Sequence, residues 1–327
     1  MHGASAPDPT GAGRSREAPA RAVGAPSPSG VARTDEIAAH AESVEAVIAW
    51  FAEAGRDLPW RREGVSAWAI LVSEVMLQQT PVVRVLPRWQ EWMQRWPAPS
   101  DLADAPTAEV LRCWDRLGYP RRALRLQECA RVIVREHGGR VPRGEQALRA
   151  LPGVGEYTAA AVTAFAHGER ALVVDTNIRR VLARSVRGHA LPDRSYSAAE
   201  RAVAAASLPL SREQSTAWNQ AVMELGALVC TARAPRCQQC PLAGGGCAWF
   251  AAGRPAATED TRRRQPFEGT DRQMRGMIMA LLRRDGSAAQ EQLMGLDADD
   301  PERVRRGIRT LAADGLAVRD GAHLRLP

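Results

Sequence analysis

The chain has 327 residues, 45% of them hydrophobic and 25% charged, which is ample for a sizeable core and excludes a wholly disordered protein. No apolar run approaches the roughly 18 to 20 residues that a membrane span needs. The formal net charge of +7 favours a polyanionic partner, and all 44 basic residues are arginines, so any chemistry that needs a lysine Schiff base is excluded.

Residues 1–35 are rich in Pro, Gly, Ala and Ser without periodicity and read as a disordered tail. Their arginines are followed by no continuous apolar segment, so no secretory signal is read and the expected compartment is the cytoplasm. Val44, Val47, Ile48 and Phe51 then fall on one face of a helix that stops at Gly55. Further helices are expected over 66–79, 82–95, 107–116, 121–137, 145–151, 156–167, 175–186, 196–206 and 213–228. No alternating β-branched run interrupts them, so the fold class of this stretch is all-α. Residues 251–270 are polar, carry Arg262, Arg263 and Arg264, and read as a linker.

The last 57 residues read as a small separate unit. Met274, Met277, Ile278, Leu281 and Leu282 form one amphipathic face, and Val304, Ile308 and Leu311 another. Leu316/Val318 and Leu324/Leu326 then alternate on either side of Asp320-Gly321, a two-residue hairpin signal. Helices followed by a hairpin suggest a winged-helix-like α+β module.

Three clusters of residues carry chemistry. Leu151-Pro152-Gly153-Val154-Gly155 followed by Glu156-Tyr157 is a Gly-x-Gly hairpin opening a helix. Free amides of Gly153, Val154 and Gly155 at such a helix start can seat a phosphate without reading base sequence, although a hairpin used only for packing has the same form. Asp175 stands 20 residues beyond Gly155 and leads into the next helix, where it is a candidate N-cap as well as a candidate site residue. Cys230, Cys237, Cys240 and Cys247, spaced C-x6-C-x2-C-x6-C, read as ligands of an iron–sulfur cluster or a structural zinc rather than as disulfides.

The hairpin and the aspartate together resemble the helix-hairpin-helix DNA glycosylase superfamily, in which this Asp faces the deoxyribose of a flipped-out nucleotide. The cysteine spacing resembles the [4Fe–4S] loop of endonuclease III and its relatives, with one extra residue in the last gap, inside Gly244-Gly245-Gly246. The segment Ser73-Glu74-Val75-Met76-Leu77-Gln78-Gln79-Thr80 is similar to the signature of the MutY-type adenine glycosylases, as are Leu58-Pro59-Trp60-Arg61 and Leu117-Gly118-Tyr119.

That resemblance implies a two-lobed glycosylase over 36–250. A six-helix lobe would take about 58–168, and an iron–sulfur lobe 36–57 with 169–250. The 271–327 module follows the linker. It implies a base-excision repair enzyme that hydrolyses the N-glycosidic bond of adenine mispaired with 8-oxoguanine or guanine in double-stranded DNA. Glu74 would be the general acid, with Ile70, Val75 and Leu77 turned toward a core. Asp175 would face the sugar cation, and Tyr157 and Asn177 would orient the reacting groups. Trp60, Arg61 and Glu224 would line the adenine pocket, and Gln79, Thr80, Leu117 and Tyr119 would lie near the opposite base. Bifunctional relatives place a lysine in the hairpin; here Tyr157 stands at that kind of position, which implies monofunctional base removal. The expected protein is a nucleoid-associated bacterial monomer that meets no membrane. Two other readings are a thymine or uracil mismatch glycosylase on the same scaffold, and a noncatalytic DNA-binding iron–sulfur protein.

Overall fold

The computed structural model describes residues 34–257 and 267–327, and the helical periodicity becomes twelve α-helices between Thr34 and Ala251. They are α1 (Thr34–Ala54), α2 (Ala67–Leu77), α3 (Val82–Arg95), α4 (Pro99–Asp104), α5 (Thr107–Trp114), α6 (Arg121–His137), α7 (Glu145–Arg149), α8 (Glu156–Phe165), α9 (Thr176–Ser185), α10 (Ala198–Ser207), α11 (Arg212–Leu228) and α12 (Ala248–Ala251). The tail expected over 1–35 falls almost wholly outside the described residues, as does the middle of the 251–270 linker. Among the described residues no helix is long and apolar enough to cross a membrane.

Local chemistry sets several helix starts. Ser66, Asp175, Ser197 and Ser211 each accept a hydrogen bond from a first-turn amide of α2, α9, α10 and α11. Two helices end earlier than the apolar spacing suggested. The 66–79 helix stops at Leu77 because Gln79 turns to a positive φ of 55°. The 107–116 helix stops at Trp114, where Asp115 takes a φ of 42° and a short 3₁₀ turn follows. Helix α4 was not read from the sequence: six residues between prolines are too few to display a period.

The buried side chains form two apolar clusters. One gathers Trp68, Leu71, Val75, Met76, Trp92, Trp114, Leu126 and Ile133 from α2, α3, α5 and α6. Its indoles meet edge to face, Trp92 with Trp96 at 4.8 Å and with Trp114 at 5.5 Å. The other gathers Val44 and Val47 of α1 with Ile178, Val181, Val222 and Leu225 of α9 and α11. Helix α8 serves both clusters, Ala159 and Val162 entering the first and Ala160, Ala161 and Ala164 the second. Side chains this small let α8 lie between two packed bodies, and the space bounded by both bodies is where the site forms.

The C-terminal segment runs α13 (Asp271–Asp285), β1 (Ser287–Ala289), α14 (Gln290–Met294), α15 (Pro301–Ala313), β2 (Val318–Asp320) and β3 (His323–Arg325). The strands form an antiparallel sheet in the order β1-β3-β2. Asp320 pairs with His323, so the two loop residues are Gly321-Ala322, one position later than the Asp320-Gly321 reading. The inward pattern also differs: Leu316, Ala317, Leu324 and Leu326 are buried, whereas Val318 is exposed. Strand β1 and helix α14 escaped the sequence reading because Ser-Ala-Ala carries no strand signal and α14 spans only five residues. The apolar residues of this segment, Met274, Ile278, Leu282, Val304 and Leu311 among them, are continuous with the first cluster. Polar ties reinforce the contact: Arg283 Nη1 donates to the Asp115 carbonyl at 2.8 Å, and Asp314 binds both Arg275 (2.6 Å) and Arg121 (3.3 Å).

Candidate active site

Helix α2 is buried from Trp68 to Met76, and Glu74 is only 5% exposed. Ile70, Glu74 and Leu77 recur at i, i+4 and i+7 and so share one face. That face lines a cavity of about 410 Å³. Ile70 and Leu77 form the apolar rim around the carboxyl as well as meeting the core: Ile70 is buried, Leu77 packs against the first apolar cluster, and Val75 belongs to that cluster. Burial raises the Glu74 pKa to about 7, helped by the nearby negative charge of Asp175 and opposed by the Tyr157 hydroxyl and by Arg61. The Tyr157 hydroxyl, from the first turn of α8, donates to Glu74 Oε2 at 3.1 Å.

Asp175 enters the same cavity from the start of α9. Its Oδ1 accepts from the Ile178 amide and its Oδ2 from Asn177 Nδ2, both at 2.7 Å. The capping and site readings of Asp175 are thus compatible: the cap fixes the carboxylate while its remaining lone pairs face the cavity. Burial raises its pKa, and the two hydrogen bonds oppose the rise. Asn177 is held in turn by Arg180, whose Nη2 donates to Asn177 Oδ1 at 2.8 Å and to the Gly226 carbonyl at 2.6 Å. Helices α9 and α11 approach so closely here that a Cβ on Gly226 would lie 2.6 Å from Asn177 Cβ. Only glycine fits at that crossing.

Opposite α2, the cavity is lined by Trp60, Arg61 and Glu224. Glu224 is fully buried and accepts from the Arg56 amide (3.1 Å), from Arg56 Nε (2.6 Å) and Nη2 (2.8 Å), and from Arg61 Nη2 (2.9 Å). Burial pushes its carboxyl up, but these donors outweigh it and hold the pKa at about 2. The Arg61 Nη1 is buried with no partner, a donor left over beside the cavity. One pocket thus contains a carboxyl that keeps its proton near neutrality, a second carboxylate with free lone pairs, and a firmly ionised third. The first two resemble the unequal carboxyl pairs of glycoside hydrolysis.

Gln79, Leu117 and Tyr119 do not enter this cavity. They line a separate, larger cleft, while Thr80 stands between the two and lines only the first. The Thr80 hydroxyl donates to the Leu117 carbonyl at 3.0 Å and accepts from Arg122 Nη2 at 3.0 Å. Arg122 escaped the sequence reading, since nothing distinguishes it from Arg121 beside it. Its guanidinium donates to the carbonyls of Val75, Met76, Leu117 and Gly118, fastening the end of α2 to the Tyr119 loop. Arg56 was missed for the same reason.

Gly153, Val154 and Gly155 form the turn between α7 and α8, with Gly153 at a φ of +80°. No side chain caps the first turn of α8, whose amides are left available to an anion.

Cys230, Cys237, Cys240 and Cys247 line one small apolar cavity with Val229, Trp249 and Phe250. Arg184, on α9, donates to Cys230 Sγ at 3.3 Å and to the Thr231 carbonyl at 2.8 Å, and its guanidinium lies 4.7 Å from the Trp249 ring. Four thiols around an apolar hollow with one charge-assisted donor to sulfur suit an iron–sulfur cluster. Among the described residues no group of three or more His, Cys, Asp or Glu is placed to hold a single metal ion, so one tetrahedral zinc fits less well. The extra residue between Cys240 and Cys247 is taken up without removing Cys247 from the set.

Comparison with known proteins identifies the family. Residues 72–205 match the HhH-GPD superfamily of base excision DNA repair proteins, and residues 230–245 match the iron-sulfur binding domain of endonuclease III. An adenine DNA glycosylase of Mycobacterium tuberculosis is 49% identical over 278 residues, covering 84% of this chain and 89% of the relative. A thymine/uracil-DNA glycosylase of Pyrobaculum aerophilum is 35% identical over 209 residues, covering 63% of this chain and 90% of the relative. Among solved structures, an endonuclease III trapped as a covalent intermediate with DNA superposes with a TM-score of 0.56 at 21% identity. It covers 69% of this chain and 100% of its own, a likeness of fold.

Proposed function

The chain belongs to the adenine DNA glycosylases of the HhH-GPD superfamily, and we propose that its substrate is adenine mispaired with 8-oxoguanine or guanine in double-stranded DNA. The observation that carries this reading is the pairing of Glu74, with a pKa near 7, and Asp175 in one cavity bounded by both lobes. Adenine lies inside the duplex stack, so it must be flipped out to reach that cavity.

Expelled as an anion, adenine is a poor leaving group. Glu74 donates its proton to N7 of the flipped base, and the electron pair of the C1′–N9 bond leaves with neutral adenine. The cation that remains at C1′ faces Asp175, held in place by Ile178 and Asn177. Water adds at C1′ and returns a proton to the Glu74 carboxylate. Tyr157 positions the Glu74 carboxyl, and the spare Arg61 N–H is available to the base. Trp60 and the Glu224 ion pairs shape the pocket wall. The α7–α8 turn at Gly153, Val154 and Gly155 seats a backbone phosphate. When bound, the cluster supplies a rigid cross-link of the Cys230–Cys247 loop.

We assign catalysis to residues 36–250, acting as a monomer on chromosomal DNA in the bacterial cytoplasm, with 271–327 as an accessory module. Release of the free base is measured on duplexes carrying adenine opposite 8-oxoguanine, guanine or thymine, and thymine or uracil opposite guanine. Release of adenine from the first two supports the reading. Release confined to thymine or uracil overturns it.

A further inference from the structure

A further cavity, of about 130 Å³, lies where α6 meets the end of α2 and the α7–α8 turn. Arg121, Arg122, Arg125 and Gln78 line it together with Pro152 and Gly153, and among the described residues no carboxylate does. Three guanidinium groups around a space of that size, with no acid between them, suit an oxyanion such as a phosphate. The turn reaches α6 by a close approach: a Cβ on Gly153 would lie 2.9 Å from Arg125 Cβ. The bare glycine thus lets α6 bring its arginine up to the turn.

Two of the three arginines keep donors unspent. Arg125 is exposed and makes no hydrogen bond or ion pair among the described residues. Arg122 spends its two Nη atoms on the carbonyls of Val75, Met76, Leu117 and Gly118 and on the Thr80 hydroxyl. Its Nε is buried with no partner among the described residues. None of its acceptors is charged, and burial lowers its pKa to about 10, as expected of a cation drawn out of water without a balancing anion. A neighbouring cavity shares Arg121 and Arg125 and does contain carboxylates, but these are engaged. Asp314 pairs with Arg275 at 2.6 Å and Arg121 at 3.3 Å, and Glu128 with Arg131 at 3.4 Å.

We propose that this cavity holds a phosphate of the DNA backbone, bound by Arg125 and by Nε of Arg122, beside the phosphate seated at Gly153, Val154 and Gly155. This rests on the functional reading above. The contact is sequence-independent, since a phosphate carries no base identity. Arg122 is already fastened to α2 and to the Tyr119 loop, so its spare donor is oriented before DNA arrives, and Arg125 supplies the free fork.

The test is binding to a duplex that carries a non-hydrolysable 2′-fluoro adenosine opposite guanine, and to its fully paired counterpart, over a range of salt. It compares the wild type with Arg125→Ala and Arg125→Lys. The side chain is exposed, and iron content together with the melting curve checks that the variants fold. The proposal expects Arg125→Ala to lose about tenfold in affinity on both duplexes. The slope of log affinity against log salt should fall in magnitude by about one in Arg125→Ala and stay unchanged in Arg125→Lys. Neutral methylphosphonate linkages, placed one at a time, locate the phosphate: at one of them the wild type loses affinity and Arg125→Ala loses no more. An unchanged slope in Arg125→Ala, a loss confined to the mispair, or a loss that adds to that of every linkage overturns the proposal. So does competition by inorganic phosphate at constant ionic strength with no such linkage found, which would mark a free-anion site. Adenine release by the wild type is followed in parallel. Intact release with an unchanged slope defeats this inference alone, whereas no release defeats the functional reading and the inference with it.

Discussion

The Tyr157 hydroxyl donates to Glu74 Oε2 across 83 positions of sequence, joining the helix that follows the Gly153-Val154-Gly155 turn to the helix that carries Glu74. This bond stabilises the ionised form of Glu74 and works against the burial that raises its pKa. Removing it with Tyr157→Phe leaves burial and Asp175 less opposed, so the pKa of Glu74 rises further. The expected result is an alkaline limb of the single-turnover rate displaced to higher pH. A limb that stays in place or moves to lower pH contradicts the bond's direction.

Asp175 does two separable things. Asn is as good an N-cap as Asp, so Asp175→Asn keeps α9 capped while removing the negative charge proposed to face C1′. The melting temperature should stay near that of the wild type while single-turnover excision falls at least about a hundredfold. Asp175→Ala should lose the activity and, in addition, about 1 kcal/mol of stability from the missing cap.

Glu224 anchors Arg56 and Arg61 from a fully buried position. Replacing it with Ala leaves two guanidinium groups without their buried partner, and the expected loss is about 3–5 kcal/mol by denaturant titration. The pH dependence has a definite sign. The folded pKa of about 2 lies below the ordinary 4.5, so the carboxylate's contribution is fully present above about 4.5 and fades as pH falls toward 2. Glu224→Ala should therefore erase part of the wild type's acid-induced loss of stability.

No lysine exists anywhere in the chain to form a Schiff base with the sugar. Pure protein incubated with an adenine mispair and borohydride should give no turnover-scale protein–DNA cross-link. Strand cleavage should appear only after alkali or heat. A trapped adduct forming at the rate of base release would contradict monofunctional chemistry.

Legibility in the sequence followed the kind of signal each element carries. Long amphipathic helices such as α3, α6 and α11 show their period, and Asp175 and the four cysteines show their spacing. Glu74 was legible through its neighbours, although the sequence did not show that the face it shares with Ile70 and Leu77 also forms a cavity wall. Arg56 and Arg122 were not legible. An arginine's role is decided by which distant carboxylate or carbonyl it meets, and with 44 arginines the chain offers no local mark for the two that matter. The merger of the C-terminal module with the first apolar cluster was equally hidden, because both amphipathic faces of α13 and α15 look the same whether they pack on each other alone or also on a neighbour.

The most direct measurement is single-turnover release of adenine opposite 8-oxoguanine by the wild type and by Glu74→Gln from pH 5 to 9. The account predicts a wild-type rate that declines as pH rises through about 7, while Glu74→Gln is at least about a hundredfold slower and shows no such decline. A Glu74→Gln variant that works near the wild-type rate, or that keeps the same alkaline limb, would contradict it.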